Sequence, residues 1–404
     1  VYLSTVERPR KLGWKGLSGN VFALGTVSLI TDVSSEMVTA VLPLYLVVGL
    51  GLSPAAYGVI DGVYTGATTL LRLVGGYLAD KTDRRKAVAG TGYALSAVAK
   101  LGLLIAGTST ALLGAAITID RAGKGLRTAP RDALITLSTP SGDLGRAFGV
   151  HRAMDGVGAF LGPLVALAVL AAAADSFDAV FVASFCVAAM GVVVLAMFVR
   201  DHRSTLPARE PVRVKEIGTL LRDSRVRRLV IAAAVLGLAT IGDGFVYLLL
   251  QKREGLTIGW FPLLAVGTSL VYLLLAAPLG ALADKIGRLP VMLAGYVALA
   301  TAYLLIHSPL DGIPLHLAVL ALYGTFYATT DGVLMALAGP ALPERLRTTG
   351  IALIQSGQAL AYLGSSVLFG LAWKYFGPET ATRLAAAGVA TALVTTAYLL
   401  GRRR

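Results

Sequence analysis

Apolar runs long enough to cross a lipid bilayer recur from one end of this chain to the other, and no other feature narrows its fold as far. They fall at 20–49, 57–79, 87–107, 111–137, 146–173, 177–199, 228–250, 259–281, 290–307, 314–338, 349–373 and 383–400. A helical span needs about 20 apolar residues, and inside lipid only helices and closed barrels satisfy every backbone polar group. The pattern therefore predicts twelve transmembrane helices. Composition agrees: 56% of the 404 residues are hydrophobic and 15% charged, against about 25% charged in soluble proteins. A soluble enzyme, a disordered chain and a disulfide scaffold are excluded, the last because Cys186 is the single cysteine. Forty-six glycines suit a bundle in which small residues let helix backbones approach closely.

The net charge of +13 is a matter of topology rather than of nucleic-acid binding. With both termini in the cytoplasm, 25 of the 36 Lys and Arg fall in inner segments and 4 (Lys252, Arg253, Lys374, Arg383) in outer ones. That asymmetry follows the positive-inside rule. The expected location is the cytoplasmic (plasma) membrane, the cell inner membrane, as a multi-pass and monomeric protein. The first twenty residues carry Arg8, Arg10, Lys11 and Lys15 without an apolar core, so no cleavable signal peptide is expected there.

One long polar stretch interrupts the spans, RDHRSTLPAREPVRVKEIGTLLRDSRVRR at 200–228. It divides the chain into an N-terminal six-helix bundle (1–199), a cytoplasmic linker (200–227) and a C-terminal six-helix bundle (228–404). The halves repeat. GGYLADKTDRRK at 75–86 matches LGALADKIGRLP at 279–290, and RDALITLSTPSGDLGRAFG at 131–149 matches TDGVLMALAGPALPERLRTTG at 330–350. Asp32 in the first helix corresponds to Asp243 in the seventh. Near-constant offsets of 204, 199 and 211 residues mark a duplicated six-helix unit. Parallel repeats about an axis along the membrane normal are a transporter architecture with a shared site. The fold class is thus all-α, twelve transmembrane helices in two pseudo-symmetric bundles.

With these motifs the chain resembles the major facilitator superfamily along essentially its whole length. Gly76-Tyr77-Leu78-Ala79-Asp80-Lys81-Thr82-Asp83-Arg84-Arg85 resembles the signature loop G-x-L-A-D-R/K-x-G-R-R/K, with Asp83 in place of the glycine. The second copy, Gly280 to Arg288, keeps that glycine as Gly287. The resemblance implies a conformational latch at Asp80, Arg84, Asp284 and Arg288. Arg121-Ala122-Gly123-Lys124-Gly125 is similar to the R-x-x-x-G pattern of drug:proton antiporters, which implies a buried, charge-responsive Arg121. Gly158-Ala159-Phe160-Leu161-Gly162-Pro163 resembles the glycine–proline motif of the same branch without its trailing glycines.

Ionisable residues at membrane depth are costly and functional by default. Asp32 and Glu36 lie one turn apart on the first helix, a like-charge pair suited to carry protons. Asp120, Lys124, Arg127 and Arg131 form one stripe of the fourth helix, at spacings of 4, 3 and 4. A substrate cavity is expected from Asp61, Asp120, Lys124, Arg127, Asp155, Asp243, Tyr247, Tyr323, Gln355 and Gln358. Gate ion pairs are expected at Arg131, Asp132, Arg152 and Asp331. Lys100 is expected to snorkel to the interface. His151 and Met154 sit where a metal-handling site would place imidazole and thioether.

The expected function is secondary active transport by alternating access, as proton-coupled efflux (antiport) of a small organic solute. The alternatives are export of a divalent metal ion or metal complex, proton-coupled uptake symport, and a receptor or scaffold that no longer transports. The absence of a Walker loop, nucleophile elbow or HExxH argues against an enzyme. Expected partners are a small-molecule substrate, protons and the bilayer, with no nucleic acid and no cofactor.

Overall fold

The computed structural model describes residues 17–82, 84–140, 143–201, 220–330, 333–338, 342 and 347–401. Helices dominate them, and no strand occurs among the described residues. In chain order they are α1 (Gly19–Leu44), α2 (Pro54–Thr82), α3 (Arg85–Ala106), α4 (Thr110–Leu137), α5 (Leu144–Ala172) and α6 (Phe177–Phe198). Then follow α7 (Ser224–Ala239), α8 (Asp243–Glu254), α9 (Pro262–Ile286), α10 (Arg288–Leu305), α11 (Gly312–Thr330), α12 (Val333–Ala338) and α13 (Arg347–Gly401). Among the described residues nine helical stretches are long and apolar enough to cross a membrane. The charged α4 and the 29-residue α2 add length without that apolarity. The protein is an all-α membrane protein, as its apolar runs require.

Local sequence explains where the helices start, bend and stop. Ser109 caps α4 and Ser176 caps α6 through their hydroxyls, while the Asp223 carboxylate accepts from Arg225 N at 2.7 Å to start α7. Pro43 sits near the end of α1, where the chain widens into a π turn at Tyr45–Gly49. Gly377, at φ 83°, leaves the helical conformation just before Pro378, so α13 comprises two helices that meet at a kink, one for each of the two expected final spans.

The expected single span at 228–250 is broken. Residues Thr240, Ile241 and Gly242 are non-helical between α7 and α8. Two tyrosines hold the break open: the Tyr323 hydroxyl donates to Ile241 O at 2.8 Å, and Ile241 N donates to the Tyr303 hydroxyl at 3.0 Å. These bonds replace the helical bonds that Ile241 forgoes, which keeps its backbone satisfied at membrane depth.

The chain forms two compact units, Val1–Thr39 with Leu70–Ala208, and Ala40–Thr69 with Arg209–Arg404. This partition does not follow the linear sequence: 40–69, from the end of α1 and the first half of α2, groups with the later helices. Most of the expected linker, 202–219, lies outside the described residues, as does Asp331. In the first unit the core joins Val21, Leu24 and Val27 of α1 to Ala89 and Tyr93 of α3, Leu134 and Ile135 of α4, Ala147 of α5 and Leu195 of α6. Ser34 and Ser184 exchange buried hydrogen bonds between α1 and α6, at 2.7 and 2.8 Å. Large apolar side chains such as Ile105 and Val394 are exposed, as lipid-facing residues are.

Candidate functional site

In the first unit, close helix contact brings the charged residues together. A methyl group on Gly123 would lie 2.8 Å from Ser96 N, and one on Gly92 would lie 2.9 Å from Arg127 N. Only glycine lets α3 and α4 pack this closely. Across that contact Asp120 gathers three donors: the Ser96 hydroxyl, Lys100 Nζ at 3.1 Å and the Arg121 guanidinium, whose Nε is at 2.9 Å. Lys100 is 2% exposed and also donates to Ser96 O. It does not snorkel; a buried carboxylate one helix away overrides the tendency of a lysine to reach the interface.

Arg121, the expected responder to Asp32, hydrogen-bonds its neighbour Asp120 instead. The arginine beside Asp32 is Arg127, with Nη2 to Oδ1 at 3.8 Å. Its guanidinium lies 4.5 Å from the Tyr93 ring centroid, a cation–π contact. Arg127 Nη1 and the Tyr93 hydroxyl are buried without hydrogen-bond partners among the described residues.

One turn further along α4, Arg131 bonds Asp132 at 2.9 Å and Ser28 at 3.1 Å, and Asp155 lies 4.0 Å away. Asp155 also faces His151 Nδ1 at 3.3 Å. The expected gate residue Arg131 is thus in one network with the expected cavity residue Asp155. Asp32 and Glu36 sit directly over α5: a methyl group on Gly158 would meet Asp32 Cβ at 3.2 Å, and one on Gly162 would meet Glu36 Cβ at 2.6 Å. The glycines of the α5 motif let its backbone approach the two acids.

The second unit treats its carboxylates differently. Asp61 of α2 accepts from the Ser366 hydroxyl at 2.6 Å and the Tyr362 hydroxyl at 3.3 Å, both from α13. Asp243, the first residue of α8, accepts from Gly244 N at 2.8 Å. Both acids are half-buried. Tyr247 and Tyr323 are buried and committed elsewhere, Tyr247 to Thr268 at 2.9 Å and Tyr323 to the helix break. Gln355 and Gln358 are half-buried on α13, and Lys124 is half-buried on α4.

Among the expected gate residues, Asp284 and Arg288 pair at 3.5 Å, Asp284 being largely exposed. Arg84 and Arg152 are exposed, and Asp80 lies on α2 with its side chain outside the described set. Met154 packs its sulfur on Gly25. Among the described residues no group of three or more His, Cys, Asp and Glu is placed to hold a metal ion. Ser96, Tyr93, Ser28, Tyr362 and Ser366 escaped the sequence reading, and Lys100 was read as an interfacial residue rather than a partner of Asp120. The hydroxyls carried no signal in the sequence.

Many membrane-crossing helices with ionisable groups bonded between them define a polytopic membrane protein. The sequence profile of the Major Facilitator Superfamily matches residues 24–267 and 254–404. The chain belongs to that superfamily. It is 30% identical over 377 residues to an uncharacterised MFS-type transporter of Methanocaldococcus jannaschii, covering 90% of each chain. It is 34% identical over 170 residues to an uncharacterised protein of Mycobacterium tuberculosis, 42% of this chain and 40% of that one. Among solved structures it resembles the nucleoside transporter NupG, with a TM-score of 0.80, 13% identity, and 96% of this chain and 100% of that one covered. A POT family transporter in complex with 5-aminolevulinic acid gives a TM-score of 0.78, 15% identity, and 96% and 97% covered. At such identities the likeness establishes the fold.

Proposed function

We propose that this transporter couples solute movement to protons, as an exporter of a small organic solute in the plasma membrane with both termini in the cytoplasm. The observation that carries the reading is the Asp32–Arg127 contact. At 3.8 Å it is a contact without a hydrogen bond, and one guanidinium nitrogen has no hydrogen-bond partner among the described residues. Such a pair is easily exchanged. A proton on Asp32 removes the counter-charge of Arg127, whose remaining anionic neighbour is Asp120, already holding Lys100 and Arg121. Protonation thus redistributes charge along α4 and biases the equilibrium between conformations. Glu36, one turn away over Gly162, is the second proton carrier in this reading. The resemblance of the α4 and α5 motifs to antiporters favours export.

The test begins with thermal-shift screening of organic cations, nucleosides, short peptides and metabolite anions at pH 6 and pH 8. Hits are then followed in proteoliposomes containing pyranine. The expected result is solute flux driven by ΔpH, with Asp32→Asn keeping solute–solute exchange but losing the ΔpH-driven component. Flux that runs identically with and without ΔpH and Δψ defeats the coupling.

A further inference from the structure

The first half of α2 is laid backbone to backbone on α13. Gly58, Gly62 and Gly66 recur every fourth residue on one face. A methyl group on Gly58 would overlap the Ser366 carbonyl, one on Gly62 would sit 3.0 Å from the Leu363 carbonyl oxygen, and one on Gly66 would sit 3.1 Å from the Leu363 side chain. From the other side, a methyl group on Gly370 of α13 would lie 3.1 Å from Ala55 Cα and overlap the Pro54 carbonyl. Tyr57, Phe245 and Phe369 stack edge to face at 4.7 and 4.8 Å beside this seam. It is a small-residue interface of the kind that lets membrane helices touch closely.

Asp61 lies inside the seam, on the face of Gly58 and Gly62, and its bonding is one-sided. Both hydroxyls, Ser366 and Tyr362, are directed at Oδ2. Oδ1 makes no hydrogen bond among the described residues. The arrangement suits a carboxylic acid, with Oδ2 as carbonyl oxygen accepting twice and Oδ1 carrying the hydrogen. The ionisable groups facing Asp61 are Asp243 on α8, Tyr57 on its own helix, Tyr362 on α13 and Tyr327 on α11. Among the described residues no Lys, Arg or His pairs with it. Every in-membrane aspartate of the first unit that is described above has a basic neighbour; Asp61 has hydroxyls and a second acid.

We propose that Asp61 is a proton-binding site, and that the seam between α2 and α13 closes over it only when it carries the proton. The proposal deepens the proton-coupled reading and rests on it. As a carboxylate, Asp61 in a closed seam is an anion taken from water without a cation beside it, and opening restores its hydration. As an acid it is a neutral group with satisfied acceptors, and closing costs little. A secondary transporter must open and close such contacts to alternate access. The seam is then the contact that a proton permits, and Asp243, a like charge nearby, sharpens the demand for one.

The test uses the full-length protein in lipid nanodiscs with Cys186→Ala, and spin labels at Val59→Cys on α2 and Leu368→Cys on α13, both exposed positions. Distance distributions are measured by electron–electron double resonance at pH 5.5 and pH 8.5. We expect one short distance at pH 5.5 and an added longer population at pH 8.5. Asp61→Asn, an isostere of the acid, keeps the short distance alone at both values. The double variant Ser366→Ala/Tyr362→Phe shows the longer population even at pH 5.5. Asp32→Asn responds to pH as the parent does. A parent distribution indifferent to pH overturns the proposal, as does an Asp61→Asn protein that still responds. Loss of the response in Asp32→Asn but not in Asp61→Asn overturns it while leaving the first unit as the coupling site. A seam that responds through Asp61 in a protein whose flux ignores ΔpH upholds the proposal and removes the coupling reading.

Discussion

Replacing Asp120 by asparagine and Lys100 by methionine breaks the same 3.1 Å ion pair, yet the two changes are expected to have very different costs. Asp120 bonds both Lys100 and Arg121, and Ser96 adds a third bond. Asparagine keeps an acceptor oxygen but loses the charge, so two buried cations lose this counter-charge together. Removing one partner of a buried pair costs about 3–5 kcal/mol, and Asp120→Asn is expected in that range. In Lys100→Met, Asp120 retains Arg121 and Ser96, and a desolvated ammonium is gone. The lost charge-assisted bond, about 1.5–3 kcal/mol, is offset by the desolvation no longer required. The net is expected within about 1 kcal/mol of zero. In the double variant one of the two stranded cations is removed, so it should recover about 1–2 kcal/mol relative to Asp120→Asn alone. The assay is reversible unfolding of the purified protein in mixed micelles with increasing SDS, read by tryptophan fluorescence, as a double-mutant cycle. Equal costs for the two single variants, or a double variant that is the sum of both, would refute the picture of one acid serving two bases.

Two further outcomes follow from close packing and from the helix break. Gly123→Val should abolish correctly folded protein in fluorescence size-exclusion profiles, because its first methyl would already meet Ser96 N at 2.8 Å. Gly114→Ala on the same helix, with nothing within 4 Å of the new carbon, should be neutral or stabilising by up to about 1 kcal/mol. Tyr323→Phe removes the donor to Ile241 O and should cost about 1–3 kcal/mol. It should also speed hydrogen exchange at 240–242 while leaving α10 unchanged; unchanged exchange there would show that the break does not depend on the tyrosine.

The number and rough limits of the spans were legible because bilayer thickness imposes a length on apolar runs, and the duplication was legible because both copies retain their loop residues. The broken helix at 240–242 was not. Its sequence, Thr-Ile-Gly-Asp, contains no proline, and it is held by hydroxyls from Tyr303 and Tyr323, 62 and 82 residues from Ile241. The charge stripe of α4 was correctly read as one face, but periodicity says nothing about partners. It placed Arg121 and Lys100 on the chain without revealing that both converge on Asp120. Likewise Asp61 was visible as a buried acid, while the Ser366 and Tyr362 hydroxyls that define its chemistry are ordinary residues of an apolar helix. Spacing along one helix reveals faces; only tertiary contact reveals which charge answers which.

The two units solve the problem of a buried aspartate in opposite ways, and the difference has a functional consequence. Asp120 is surrounded by two cations and a hydroxyl, so its charge is compensated whatever the surrounding helices do. A group so fully paired is a fixed structural anion and a poor carrier of protons. Asp32, with one guanidinium at 3.8 Å, is held less firmly. Asp61, with hydroxyls on one oxygen and no base, is not charge-compensated by its described neighbours at all. A proton therefore changes least at Asp120 and most at Asp61, and an acid can report its protonation to the fold only where its burial depends on that protonation. By this ordering, Asp120→Asn should damage folding more than pH response, while Asp61→Asn should alter pH response with little loss of fold. The two variants measured side by side separate charges that build the protein from charges that operate it.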